Sequence, residues 1–254
     1  MRLAGECALV TGSTAGIGAE IAAVFAREGA AVVVTGRDRE RGDAVVARIV
    51  TAGGQAAFFA ADLRDEDECR RLIDTAATQL GGLTVLVNNA TGATGAAPVA
   101  STRTEEWDAV LRLDLTAPMW CARAAIPHMR AAGHGSIINI SSRQAERPSA
   151  GLAAYVAAKA GLNGLTRAIA VEEAAHGIRC NTISPGYVLN TVRDADLEPE
   201  RRATYEAMHL TRLGEAEDVA AAAVYLAGRE SGFVTGVNLA LDGGSSIARA
   251  RTLG

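Results

Sequence analysis

The sequence predicts a doubly wound α/β fold built on a mainly parallel sheet. Two observations carry that expectation. Short runs rich in β-branched residues, apolar on both faces, alternate along the chain with longer segments of helical periodicity. Strands joined through helices by right-handed crossovers lie parallel, with helices on both faces of the sheet. A third observation bounds the architecture: the 254 residues contain no repeat, low-complexity tract or convincing linker, so 1–254 reads as a single domain.

The strands are expected at Cys7 to Thr11, Ala31 to Thr35, Ala56 to Ala60, Thr84 to Val87, Ser136 to Ile140 and Ile178 to Ile183. The first helix follows from the apolar stripe Ile17, Ile21, Val24 and Phe25, and Glu28-Gly29 ends it. Further helices are expected over Glu105 to Arg130, Ala153 to His176 and Glu215 to Ala227, the last through Val219, Ala222, Ala223 and Leu226. From Tyr187 to Leu210 the chain is charged, contains Pro199 and shows weak periodicity. That stretch reads as a mobile functional loop.

Composition narrows the function classes. With 25 basic and 29 acidic residues the net charge is −4, which argues against a nucleic-acid binder. No apolar run approaches the length of about 18 residues that would span a membrane. Met1 to Glu6 has no apolar stretch of the signal-peptide kind, so a cytoplasmic location is expected. Cys7, Cys69, Cys121 and Cys180 form no C-x-x-C pair and read as reduced thiols, and the four histidines show no metal-ligand spacing. One count stands out: 24 of the 25 basic residues are arginines, and Lys159 is the single lysine.

Ligands of an open parallel sheet bind beyond the carboxyl ends of its strands, where strand order reverses. The first such end reads Thr11-Gly12-Ser13-Thr14-Ala15-Gly16-Ile17-Gly18. Glycines permit a tight turn and let a pyrophosphate approach the backbone, while the following helix offers free N–H groups and its positive dipole end. The spacing G-x-x-x-G-x-G between first strand and first helix therefore marks a nucleotide site.

Further motifs follow in order: Asn88-Asn89-Ala90 after the fourth strand, Ser142 after the fifth, Tyr155-x-x-x-Lys159, Pro185-Gly186 after the sixth, then Thr235-Gly236 and Asp242-Gly243-Gly244. In these residues and their spacing the chain resembles the short-chain dehydrogenase/reductase family, in its single-domain branch, over nearly its whole length. The resemblance implies a Rossmann-type domain with a mainly parallel seven-stranded sheet, a nicotinamide cofactor, and a homotetramer with two-fold interfaces. It also implies cofactor contacts at Gly12, Ser13, Thr14, Gly16, Ile17, Gly18, Leu63, Asn89, Ala90, Pro185, Gly186, Val188 and Thr191. Asp62 would hold the adenine amine, or else cap the helix that begins nearby.

The end of the second strand selects the cofactor. An acidic residue there would bind the adenosine ribose and repel a 2′-phosphate. Here Gly36 leaves room and Arg37 offers a fork suited to phosphate, which favours NADP(H), with NAD the alternative if Asp38 serves the ribose.

Tyr155 and Lys159 lie four residues apart in a helical stretch and share one face. A free phenol titrates near pH ~10, and a nearby ammonium favours the phenolate. Tyr155 thus suits a general acid in carbonyl reduction and a general base in alcohol oxidation, with Ser142 donating to the substrate oxygen. By resemblance Lys159 also holds the nicotinamide ribose. A compact ammonium fits between phenol and ribose where a planar guanidinium would not. After Trp107 the family pattern expects an asparagine in a kinked helix, relaying protons to the lysine through a water. Asp114 stands there and adds negative charge near Lys159. Two smaller departures are Thr91, where a glycine usually follows Asn-Asn-Ala, and Asn190, for which Thr191 would substitute.

Substrate contacts are expected from Arg143, Gln144 and Tyr187, with Gly92, Glu146 and Leu189 as further lining and 187–210 as a covering loop. Arg143 and Arg147 would attract an anion if they are not simply solvated. The reaction expected is NADPH-dependent carbonyl reduction of the 3-oxoacyl kind. The alternatives are an NAD-dependent sugar, polyol or hydroxy-acid dehydrogenase, and a catalytically impaired nucleotide-binding protein.

Overall fold

The computed structural model describes residues 1–92, 96–190, 194 and 196–248. Its centre is a seven-stranded parallel sheet in the order β3-β2-β1-β4-β5-β6-β7. The strands are β1 (Cys7–Val10), β2 (Ala31–Gly36), β3 (Gln55–Ala60), β4 (Val85–Asn88), β5 (Gly135–Ile140), β6 (Ile178–Pro185) and β7 (Asn238–Leu241). Strand order reverses between β1 and β4, which pair in parallel through Leu9 and Leu86. Their carboxyl ends therefore open the crevice where a ligand fits.

Both faces of the sheet are covered. On one face α1 (Gly16–Arg27), α2 (Arg39–Thr51) and α8 (Ala216–Ala227) bury Phe25, Ile49 and Val224 against Val32, Val87 and Ile138. On the other, α3 (Glu66–Leu80) and α5 (Ala117–Ala132) bury Ile73 and Met129 against Leu9, Leu86 and Ile137, joined by Ile169 of α6 (Ala153–Glu173). Alternate residues of the inner strands thus feed two separate cores, which explains why these strands are apolar on both sides.

Three local expectations change. The stretch expected as one helix from Glu105 to Arg130 begins as α4 (Thr104–Leu111), passes through a π-helical turn at Arg112–Thr116, and resumes as α5. The stretch 187–210 is not wholly loop, because it contains the nine-residue helix α7 (Pro199–Ala207). Its periodicity is weak because none of its residues is buried, so it has no apolar stripe to display. Asp62 does not cap α3; Asp65 does, accepting from the Glu68 amide.

Candidate active site

Around the mouth of β1 and β4 lies a cavity of about 720 Å³, within the range that holds small ligands. Gly12, Thr14, Gly16, Ile17 and Gly18 line it at one end, Gly36, Arg37, Asp62 and Leu63 along one wall, and Asn89, Ala90, Thr91, Gly92 and Asn190 along the other. The glycines are required by geometry. Gly12 and Gly16 have φ of +62° and +54°, and a Cβ on Gly12 would lie 2.7 Å from the Ala90 Cα. A side chain on Gly18 would strike Asn89 Nδ2 and the Gly12 carbonyl. Ala15 at the start of α1 supplies no capping side chain, leaving amides at the helix terminus to meet an anion. This cradle fits the pyrophosphate of a nicotinamide dinucleotide.

The cavity separates the expected cofactor residues into groups. Ser13 is turned away: its hydroxyl donates to the Val10 carbonyl, and its amide donates to Thr35. It fastens β1 to β2, and both its hydroxyl proton and its amide are spent there. Asn89 braces the cradle, donating from Nδ2 to the Thr11 and Gly12 carbonyls at 2.9 and 3.1 Å. Pro185, Gly186 and Val188 do not line this cavity. Gly186 and Val188 border a smaller one of about 370 Å³ beside His209 and Asp242. Asn190 does line the large cavity, with Nδ2 2.8 Å from where a Gly16 Cβ would stand. Thr191 lies outside the described residues.

At the adenosine end Arg37 is exposed at the cavity wall. Asp38 is committed elsewhere, capping α2 through the Arg41 amide and pairing with the Arg41 side chain. Asp62 accepts the Arg64 guanidinium through both oxygens and the Arg64 amide through one. Those Arg64 hydrogen bonds hold the Asp62 carboxyl down at about 2. An adenine amine would share Asp62 with Arg64, a cavity-lining residue the sequence reading did not single out.

Beyond the opposite rim, α6 carries Tyr155 and Lys159 one turn apart, with Lys159 Nζ 5.5 Å from the Tyr155 ring centre. Lys159 is 2% exposed. Its ammonium donates to the Ile140 carbonyl at 3.1 Å and meets Asp114 Oδ1 at 3.0 Å. Asp114 is 1% exposed and sits within the π-helical turn, a distortion that recurs at functional sites. Instead of a water between lysine and an amide, a carboxylate touches the ammonium directly. Thr91 donates to the same Oδ1 at 2.6 Å, and the Gly92 amide reaches Oδ2 at 3.5 Å. Ser142 follows β5, and its Oγ accepts from the Gln144 amide at 3.2 Å, leaving the hydroxyl proton available. A buried ammonium beside a phenol is an arrangement able to exchange a proton with a substrate oxygen.

The expected substrate residues differ in how free they are. Gln144 is occupied at both ends of its amide by Ser149. Arg143 is half-buried and, among the described residues, donates to the Met208 thioether, a weak acceptor. Arg147 is spent on the carbonyls of Ser245, Ser246 and Ala248. Tyr187 stacks on Tyr205 with ring centres 4.0 Å apart, and its hydroxyl donates to Asp194. Glu146 accepts from Asn238, and the Leu189 amide donates to Gly214.

A family model described as enoyl-(acyl carrier protein) reductase matches residues 12–246. Over 93% of this chain and 95% of the relative, the sequence is 42% identical to a cis-4-hydroxycyclohexanecarboxylate dehydrogenase of Sinomonas cyclohexanicum. It is 39% identical, over 97% and 98%, to the 2,5-dichloro-2,5-cyclohexadiene-1,4-diol dehydrogenase LinX of Sphingobium indicum. Among solved structures, a dehydrogenase/reductase from Sinorhizobium meliloti 1021 superposes with a TM-score of 0.89 at 38% identity, covering 96% of this chain and 97% of that one.

Proposed function

Since the chain belongs to the short-chain dehydrogenase/reductase family of NAD(P)-dependent oxidoreductases, we propose that it interconverts a ketone and a secondary alcohol with Ser142, Tyr155 and Lys159 as its catalytic residues. The observation that carries this reading is Lys159: the single lysine of the chain is buried one helical turn from Tyr155. A lysine is rarely so buried unless its charge is used or paired. When bound, the nicotinamide cofactor supplies or accepts the hydride. In reduction the Tyr155 phenol gives its proton to the carbonyl oxygen, and Ser142 donates a hydrogen bond to the same oxygen as charge develops there. In oxidation the proton returns to Tyr155 by the same path. Lys159 places its positive charge beside the phenol, favouring the proton's departure.

NADP(H) is the proposed cofactor. Gly36 and exposed Arg37 at the cavity wall support it, as does the commitment of Asp38 to α2, which removes the acidic group that would have favoured NAD. Asp114 joins the site as the carboxylate on Lys159, and 187–210 is proposed to cover the substrate. Fully exposed Phe233 and the exposed Val171 of α6 support association into a homotetramer.

A second reading is favoured by one observation. Half-buried Arg143 has no carboxylate partner among the described residues, and a relative 42% identical carries a name specifying a hydroxycyclohexane carboxylate. A hydroxy or oxo acid whose carboxylate pairs with Arg143 would satisfy that guanidinium. The test is a panel of ketones and secondary alcohols, with and without a carboxylate, followed at 340 nm with each cofactor. Turnover abolished by Tyr155→Phe supports the reading, and no turnover on any compound would sink it.

A further inference from the structure

Asp114 is a fully buried carboxylate, and the groups that satisfy it come from two other parts of the chain: Thr91 and Gly92 from the loop after β4, and Lys159 from α6. The contacts are unequal. Oδ1 receives both the Thr91 hydroxyl, at 2.6 Å, and the Lys159 ammonium, at 3.0 Å, whereas Oδ2 has only the long 3.5 Å approach of the Gly92 amide. With Oδ2 weakly held, the Thr91 hydrogen bond is the short contact that fixes how the carboxylate is turned. A hydroxyl has one proton to give, and here it goes to Asp114.

The loop that delivers Thr91 is itself pinned. Thr11 Oγ1 accepts from the amides of Asn89 and Ala90 at 2.9 and 3.1 Å, two residues and one residue before Thr91. A β-branched side chain on a pinned backbone has little rotamer freedom. Thr91 is exposed, so the braced backbone and the Asp114 hydrogen bond are what hold its hydroxyl in place.

We propose that Thr91 is a positioning residue for the reaction: its hydroxyl fixes the Asp114 carboxylate against Lys159 and thereby sets the ammonium's place beneath Tyr155. This rests on the catalytic reading of Tyr155 and Lys159 given above. A buried carboxylate attracts an ammonium strongly because little water screens the pair. That attraction pulls Lys159 toward Asp114, so the orientation of the carboxylate decides where the charge beside the phenol comes to rest. Without Thr91, Oδ1 loses a donor and the carboxylate is free to rotate toward Lys159 or the Gly92 amide.

The single lysine makes this testable without turnover. Protein labelled with 15N-lysine gives one Nζ resonance, that of Lys159. Four variants are compared with the wild type: Thr91→Val, Thr91→Ser, Asp114→Asn, and Thr91→Val with Asp114→Asn. The expected result is that Thr91→Val moves the Nζ resonance and lowers kcat about tenfold, as loss of a hydrogen bond to a charged group does. The KM for the cofactor stays within about twofold, since Thr91 acts on the reacting end. Thr91→Ser restores both readouts, and Thr91→Val has a smaller effect once Asp114 is an amide, whose uncharged oxygen no longer draws the ammonium. The proposal is overturned if Thr91→Val leaves the resonance in its wild-type position, or if its effect is equally large in the Asp114→Asn background. Thr91→Ala makes the same comparison should the valine variant not fold. If wild-type protein turns over no substrate, the catalytic reading fails while the resonance still decides the role of Thr91.

Discussion

The Lys159 ammonium and the Asp114 carboxylate lie 3.0 Å apart with side-chain exposures of 3% and 1%. Two opposite charges so far from water depend on each other, because removing one leaves the other buried without compensation. Lys159→Met is therefore expected to destabilise the fold by about 3–5 kcal/mol, and Asp114→Leu in the same background to recover much of that loss. Lys159→Arg keeps the charge but replaces the compact point charge that donates to the Ile140 carbonyl with a planar fork of different geometry. Its kcat is expected to fall by at least about a hundredfold, or ~2.7 kcal/mol of transition-state stabilisation. Near-normal activity would make the lone lysine an accident of composition.

Asp114→Asn separates charge from shape. The amide oxygen can still accept from Thr91 and Lys159, but a negative charge near the phenol is gone. With less negative charge nearby, a phenolate forms more readily. The pH at which alcohol oxidation accelerates is expected to fall relative to the wild type. An unshifted kcat profile across the same pH range would remove Asp114 from the proton path.

At the adenosine end, Arg37→Ala is expected to weaken NADPH binding at least about tenfold, in keeping with loss of a charge-assisted phosphate contact, while changing NADH binding less than about twofold. Added salt is expected to erode the wild-type preference, because Arg37 is exposed. Fluorescence titration of both cofactors decides it, and an unchanged NADPH affinity would overturn the assignment.

The sheet, the cradle and the Tyr155–Lys159 pair were legible in the sequence because each depends on local rules. Periodicity marks the first six strands, positive φ demands Gly12 and Gly16, and four-residue spacing puts two side chains on one helix face. What escaped depends on distant partners. Ser13 sits inside the glycine motif, yet its hydroxyl reaches back to Val10 and receives the Thr35 amide, a choice that only the neighbouring strand reveals. Asn190 and Thr91 were visible as departures from pattern, but not as a pair of cavity walls, one against Gly16 and one against Asp114. The break in the long helix was expected only through the family resemblance, since Leu111 to Thr116 contains no proline or glycine to mark it.

The Asp62–Arg64 pair carries an acid signature. Arg64 hydrogen bonds lower the Asp62 carboxyl from 3.8 to about 2. A carboxylate whose folded value is depressed contributes stability above its unfolded value, and that contribution is lost as pH falls through the folded one. The contribution is therefore present above about pH 4 and disappears toward about pH 2. It is modest, because the Asp62 side chain is 35% exposed. Melting curves of wild type and Asp62→Asn are expected to differ at neutral pH and converge as the pH falls through that window. A constant gap would mean that the pair does not titrate as described.

The last prediction concerns the segment 187–210, proposed to cover the substrate. Tyr187 is held by its ring on Tyr205, by its hydroxyl on Asp194 and by its amide on His209 Nε2 at 3.1 Å. His209 in turn donates from Nδ1 to the Tyr205 carbonyl at 2.7 Å, since Nε2 is the accepting nitrogen. Tyr205 therefore fixes Tyr187 twice, by its ring and through His209. A Tyr205→Ala change removes the ring contact and leaves the backbone carbonyl in place. A stacked pair contributes about 0.5–1.5 kcal/mol, so freeing Tyr187 corresponds to roughly a two- to tenfold effect. If Tyr187 lines the substrate pocket, that effect falls on the substrate KM and leaves cofactor affinity alone, because neither ring touches the glycine cradle. A change in cofactor affinity with substrate KM intact would place the segment over the wrong ligand.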